Sequence, residues 1–219
     1  MQELVLQELA LLSDHHTESF KDLQHVILPQ LQVLKFPCHC TNHEYLIKFL
    51  ENNGMFLKEL YIHTNNNSLN LAIAKFCSNL KSLCTIFNND EMETLKAILI
   101  GCQQLESIKV WCGDSYLNEN KLLEVVVKCS PKKFHEVKIL QLVKIRKSSW
   151  IMNLTLSERE FFLGELEPIL ISWANRIPPK LLSLIVLDNL KIKKESMEVI
   201  EKFKKSGIIK KFETYNDYV

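Results

Sequence analysis

Glycine is scarce in this chain. Five glycines in 219 residues leave no loop that could cradle a phosphate, and neither a Walker A sequence nor a dinucleotide fingerprint occurs. No Gly-x-Ser-x-Gly elbow is present either. His43-Glu44 and His135-Glu136 each lack the second histidine of a zinc-protease helix. No nucleophile and base stand at a recognisable spacing, so no catalysis is expected. An excess of one charge is also missing. The formal net charge is +1, which gives no reason to expect nucleic acid or an anionic membrane as partner. No apolar run approaches the ~20 residues that span a bilayer. The N-terminal MQELVLQELALL has no basic flank and carries Glu3 and Glu8, so a signal peptide is not expected. The expected compartment is cytoplasmic or nuclear.

What the chain does have is a sentence written twice. Between Ser68 and Val110 an amphipathic run ends in Cys77, Leu80, Leu83 and Thr85, and a second ends in Cys102, Leu105, Ile108 and Val110. The same triplet, apolar at its first, fourth and sixth positions, recurs as Leu31/Leu34/Phe36, Leu57/Leu60/Ile62, Phe134/Val137/Ile139 and Leu181/Leu184/Val186. A weaker copy is Ile209/Phe212/Thr214. The first anchors are 26, 23, 25, 29, 47 and 28 residues apart. All but one fall in or beside the leucine-rich-repeat period of roughly 20–29 residues. A strand of two or three alternating apolar residues cannot bury itself, and neither can the helix that follows it. Stacked copies solve both problems with one parallel sheet and one layer of helices. The expected fold is α/β: a leucine-rich-repeat solenoid, a horseshoe with a curved parallel sheet on its concave side and helices on its convex side.

Helix signals fill the intervals. Thr41-Asn42-His43-Glu44 has capping-box spacing, followed by Leu46, Phe49 and Leu50, with Gly54 as the stop. Ser68 is read as the cap of a helix carrying Leu69, Ala72, Ile73 and Phe76. Asp90 to Glu93 opens a third, with Leu95, Ile98 and Leu99 inside and Gly101 as its stop. Asn118 or Asn120 opens a fourth around Leu122, Leu123 and Val126, closed by Cys129-Ser130-Pro131. The 47-residue interval breaks the pattern. Lys144 to Ser149 reads as a loop, and Ser157 to Glu160 as a capping box before Phe162, Leu166, Ile169, Leu170 and Trp173. Pro168 should kink that helix, and Pro178-Pro179 should end it. A strand over Lys180 to Asp188, a helix over Glu195 to Lys205 stopped at Gly207, and a strand over Ile208 to Thr214 complete the chain.

The domain expectation is therefore a single unit over 1–219. It has a partial N-terminal repeat over 1–30 and regular repeats over 31–143. An irregular insertion with a helix spans 144–180, C-terminal repeats 181–214, and a tail 215–219. Met1 to Leu12 reads as the middle of a further repeat and Thr17 to Val26 as a short helix. Such an apolar end calls for a cover, from upstream chain or from another molecule.

Seven cysteines is an odd count, and Cys77, Cys84, Cys102 and Cys129 stand in apolar periodic segments, where a free thiol behaves as a small hydrophobe. Cys38-His39-Cys40 with His43 is the one group of soft ligands. It lacks the two-residue gap of paired zinc cysteines and has no second pair nearby. No metal and no cofactor are expected. Late lysines (Lys191, Lys193, Lys194, Lys202, Lys204, Lys205, Lys210, Lys211) are diluted by Glu195, Glu198 and Glu201 and read as a solvated face.

With the repeat in view, Cys77-Ser78-Asn79-Leu80-Lys81-Ser82-Leu83 and Cys102-Gln103-Gln104-Leu105-Glu106-Ser107-Ile108 resemble the cysteine-containing leucine-rich repeats of F-box substrate receptors. Longer strings resemble an expanded fungal F-box/leucine-rich-repeat family. They are Lys109-Val110-Trp111-Cys112-Gly113-Asp114, Leu122 to Val126, Ser130-Pro131-Lys132, Val199 to Lys205 and Ile208 to Phe212. The resemblance covers about residues 30–214. It implies the substrate-recognition region of a cullin-RING ubiquitin ligase subunit, with a protein partner that would be the ubiquitination substrate. Such proteins carry a three-helix F-box for the Skp1 adaptor, and Met1 to Gln30 does not look like one. Skp1 and cullin are thus expected partners only if an F-box lies upstream. The alternative is a stand-alone leucine-rich-repeat binding protein with no ligase link.

By strand alternation the residues between the anchors point away from the core. Lys35, Tyr61, His63, Cys84, Lys109, Trp111 and Lys138 form the expected partner-binding face, suited to a partner with acidic and apolar features. A competing expectation for Trp111 is that it packs onto a neighbouring repeat.

Overall fold

A computed structural model of the chain describes residues 7–10, 21–36, 43–113, 115–141, 166–177, 180–187 and 194–215. In chain order the strands are β1 (Glu8–Ala10), β2 (Val33–Phe36), β3 (Glu59–Ile62), β4 (Ser82–Thr85), β5 (Ser107–Cys112), β6 (Glu136–Gln141), β7 (Leu182–Leu187) and β8 (Ile209–Tyr215). Helices α1 (His43–Asn53), α2 (Asn67–Phe76), α3 (Met92–Gly101), α4 (Glu119–Cys129), α5 (Leu166–Ala174) and α6 (Lys194–Lys205) fall between consecutive strands from β2 onward. The strands form one sheet in the order of the chain, β1 to β8, and every neighbouring pair is parallel.

The register follows the apolar triplets. Leu34, Leu60, Leu83, Ile108, Val137, Leu184 and Phe212 are successive cross-strand neighbours. All but Phe212 are fully or almost fully buried. β2 and β3 alternate half-buried and buried residues, the period-two signature of a strand with one covered face. Helices supply the cover. Leu46, Phe49 and Leu50 of α1, Leu69 and Ile73 of α2, Leu95, Ile98 and Leu99 of α3, and Leu122, Leu123 and Val126 of α4 join the anchors in one apolar cluster that runs from Leu31 to Ile209. Burying each such side chain is worth ~1.5–3 kcal/mol, so this continuous interior dominates the stability of the stack.

Two backbone devices recur at each repeat. The first anchor's N–H donates to the carbonyl three residues back, in Leu31 to Leu28, Leu57 to Gly54, Leu80 to Cys77, Leu105 to Cys102 and Phe134 to Pro131. The chain is thereby turned from helix to strand. Next, one carbonyl accepts two consecutive N–H groups from the following repeat. Gln7, Gln32, Lys58, Lys81 and Glu106 each do so; Lys58 takes Lys81 at 2.7 Å and Ser82 at 3.0 Å. The fork lapses after β6, where His135 O accepts only Ser183 N at 2.8 Å. That is where the 47-residue interval intervenes. Arg176 carries the stack across it. Its guanidinium lies over the Trp173 ring at 4.3 Å and donates to Ser130 Oγ and O, both at 2.7 Å, tying the end of α5 to the end of α4.

One anchor is polar and is satisfied in place. The Thr85 hydroxyl, fully buried, donates to Asn70 Oδ1 at 2.8 Å, and Asn70 Nδ2 donates to the Ile86 carbonyl at 2.9 Å. A buried hydroxyl costs little when bonded in this way. Asn53 closes α1 similarly, accepting from Leu28 N at 2.6 Å and donating to Val26 O at 2.8 Å.

Several expectations need correction. Leu181 is half exposed, and Leu182 takes the anchor place beside a register shift at Leu182/Ser183. Asn66, not Ser68, caps α2, accepting from Leu69 N at 2.9 Å. Gly54 does not end its helix in a left-handed turn. It opens a 3-10 turn over Gly54–Phe56, and a Cβ there would meet Phe76 O at 2.9 Å. Gly101 likewise is required by close approach. Gly207 is the left-handed stop that was expected, at φ +73. Pro168 lies in α5, whose described part begins at Leu166, so the chain before it, where the expected kink would fall, lies outside the described residues. Thr214 is exposed, and Tyr215 belongs to β8. At the N-terminus Glu8–Ala10 is a strand of the sheet, within the stretch read only as the middle of a repeat, and residues 21–23 are helical. The readings on Thr41-Asn42, Lys144 to Ser149, Ser157 to Glu160, Phe162 and Pro178-Pro179 lie outside the described residues.

A Cβ on Gly101 would stand 2.3 Å from the Ala74 carbonyl oxygen, backbone against backbone. Gly101→Ala is therefore expected to separate α2 from α3 and cost about 2 kcal/mol. Urea unfolding reads this directly; an unchanged midpoint would mean that the two helices do not approach as described.

Candidate partner-binding face

The helices cover one side of the sheet, and the other side displays three bands of side chains. The middle band is the register row Ala10, Lys35, Tyr61, Cys84, Lys109, Lys138, Ile185 and Glu213. Five of the seven candidate residues stand in it, brought into line from five separate strands. The band two residues earlier is Glu8, Val33, Glu59, Ser82, Ser107, Glu136, Ser183 and Lys211, with the shift before Ser183. The third lies two residues later and is apolar and aromatic. There Trp111 pairs with Leu140, and His63 meets Trp111 edge-on with ring centroids 4.9 Å apart.

Two lysines of the middle band are paired. Lys35 Nζ donates to Glu8 Oε1 at 2.6 Å, and Lys138 pairs with Glu136 at 2.8 Å. Towards β8 the order inverts, and Lys211 in the first band pairs with Glu213 in the middle one at 2.7 Å. Tyr61 donates to Glu59 at 2.9 Å; burial first, then that bond, pushes its pKa up. The face is a mosaic of pairs rather than a cationic strip. Exposed pairs of this kind contribute little to stability, so the fold does not depend on them and a partner can exchange them.

Cys84 and Trp111 are the buried members of the set, and for Trp111 this is the competing expectation. Both are buried, at 1% and 7% exposure, so neither offers the contact surface expected of it. With Ile86 they form a second apolar cluster on the open side, joined by Tyr61, Tyr116 and Leu140. The cover comes from the segment after β5. Gly113, at φ +121, makes a turn that L side chains rarely adopt. Tyr116 N then donates to Gly113 O at 2.9 Å, and an antiparallel bridge joins Tyr116 to Asn88 after β4. Tyr116 is thereby laid against the cluster. Lys35, Tyr61, His63, Lys109 and Lys138 stay partly exposed. The glutamates and serines of the first band are not among the expected contact residues. Alternation applied one step earlier in each triplet finds them.

Four buried thiols are held in the protonated form. Burial pushes Cys84 up to about 11 and Cys102 to about 12, and drives Cys77 and Cys112 upward as well. Attack and metal binding need the thiolate, which these sites suppress. Among the described residues no three His, Cys, Asp or Glu side chains gather as a metal would need. Cys38, His39 and Cys40 lie outside the described residues. The late lysines are broken up by carboxylates, with Lys202 on Glu167 at 2.5 Å, Lys204 on Glu201 at 2.9 Å and Lys194 on Glu198 at 3.8 Å. Lys191 and Lys193 fall outside the described residues. No helix among those described is long and apolar enough to cross a membrane.

No protein-family model matches the chain, and no curated protein does.

Trp111→Ala removes the centre of the second cluster. It is expected to lower unfolding stability by ~3 kcal/mol, the usual cost of emptying a large aromatic site. A variant of wild-type stability would return Trp111 to the exposed surface.

Proposed function

We propose that this chain is a protein-recognition module whose working surface is the helix-free side of its sheet. The observation that carries the reading is the alignment of side chains from successive strands into continuous bands across that side. Nothing within the repeat scaffold requires them to be charged or aromatic. On this reading the stack is a leucine-rich-repeat horseshoe, the helix-free side is its concave face, and the protein performs no catalysis. The regular anchor spacing and the buried Cys77 and Cys102 at equivalent turn positions support it.

Within this reading the chain serves as the substrate-recognition region of an F-box-type ubiquitin ligase subunit. The support is the resemblance of the two cysteine-bearing strings and of the longer strings around Trp111 and Phe203. A second reading, a binding scaffold with no ligase link, has its own observation. Glu8–Ala10 is a strand of the repeat sheet, so a three-helix adaptor-binding box does not occupy that segment.

Affinity purification of the tagged chain from cells separates these readings when paired with two charge reversals. Lys35→Glu lies on the open face and Lys96→Glu on the exposed side of α3. The expected result is that captured proteins are lost with Lys35→Glu and kept with Lys96→Glu. Skp1 and cullin among the captured proteins support the ligase role; their absence with other partners retained supports the scaffold. Capture sensitive only to Lys96→Glu would move the working surface to the helices.

A further inference from the structure

The ion-pair mosaic of the open face has one gap. Two of the three middle-band lysines hold a first-band glutamate: Glu8 for Lys35 and Glu136 for Lys138. At Lys109 the first band offers Ser107, flanked by Ser82 on one side and on the other by Glu136, which Lys138 already holds. These hydroxyls turn elsewhere. Ser107 Oγ donates to Ser82 Oγ at 3.1 Å, and Tyr61 donates to Glu59 at 2.9 Å. The serine bond runs toward β4 and leaves Lys109 aside. Among the described residues Lys109 has no carboxylate partner.

Its other neighbours sharpen the imbalance. Lys109 and Lys138 are directly opposite each other on β5 and β6, where strands lie ~4.8 Å apart and like charges facing one another oppose the pairing. On its other side stands Cys84, buried and neutral at ordinary pH. Beyond the row lies the aromatic cluster of Trp111 and Tyr116. An ammonium thus sits at the centre of an eight-strand sheet, beside a second ammonium and an apolar wall, with no counter-charge of its own. A local rule broken without compensation within the chain marks a place where something else completes the arrangement.

We infer that Lys109 is the anchor for an aspartate or glutamate side chain of a protein partner, docked across β4 to β6. This rests on the reading of the open face as a recognition surface and adds to it the chemistry of the central contact. Charge complementarity selects the occupant. A single carboxylate fits the local excess of one positive charge, because Glu136 already neutralises Lys138. Side chains flanking that carboxylate would lie toward His63, Tyr116 and Leu140, which favours an acidic residue next to an apolar one.

The test is a selection of random short peptides displayed against the purified full chain, followed by affinity measurements with the recovered peptides. Aspartate or glutamate beside apolar residues is the expected enrichment. Lys109→Gln should weaken binding about fivefold, the scale of one exposed charge pair, Lys109→Arg should retain it, and raised salt should weaken it. Circular dichroism of each variant guards against misfolding. Peptides that respond to Lys35→Glu or Tyr61→Ala but ignore Lys109→Gln would leave the face a recognition surface and overturn the anchor. Peptides indifferent to every open-face variant would overturn both. Displacement by inorganic phosphate at modest concentration, or selection of uncharged peptides, would overturn the assignment of a carboxylate.

Discussion

Each repeat of this protein depends on its neighbour for the hydrogen bonds its own strand cannot make. The carbonyl ahead of one strand accepts two N–H groups from the next repeat at five successive junctions, from Gln7 to Glu106. That fork fixes the register, and the register sets everything else. A slip of one residue would turn Leu60, Leu83 and Ile108 to the open side and Tyr61, Cys84 and Lys109 into the core. The cost of burying two or three lysines far exceeds that of any exposed ion pair. Backbone geometry and hydrophobic burial therefore point to one alignment. The polar anchor Thr85 is tolerated because Asn70, one helix earlier, meets its hydroxyl.

The same constraint creates the open face. A parallel sheet has two sides, and a helix per repeat covers only one. What stands on the uncovered side is not needed to hold the stack, and its composition is correspondingly varied. It carries glutamates and serines in one band, lysines with Tyr61 in the next, and aromatics in the third. The third band is itself covered around Trp111, because Gly113 lets the chain turn back and lay Tyr116 on it. The open side thus has a firm, water-excluding centre beside an exposed charged strip. This combination is common to interfaces, in which a buried aromatic core meets a polar rim.

Much of the architecture was legible in the residues. Period two in the triplets and period 3.6 between them report which side chains are buried, and burial is what the stack is made of. The choices that escaped were between chemically equivalent neighbours. Asn66, Asn67 and Ser68 can all cap a helix, and only the backbone decides among them. Leu181 and Leu182 are both leucine, and a register shift selects the second. Gly54 and Gly101 stand where a stop is expected, yet close approach of Phe76 O and Ala74 O is what demands them. The candidate face was half legible for a similar reason. Alternation tells which side Cys84 and Trp111 occupy, but their cover comes from a loop whose path no periodicity encodes. The pairing of Lys35 with Glu8 needs the register of two strands at once, and no local window contains it.

The account stands on the sequential parallel pairing of the repeat strands. Backbone NOE measurements on the isotopically labelled protein test it most directly. Cross-strand contacts of the parallel type should link Leu34 to Leu60, Leu60 to Leu83, Leu83 to Ile108 and Ile108 to Val137. Hα–Hα contacts of antiparallel pairs among these residues, or links that skip a repeat, would contradict the stack and the face built upon it.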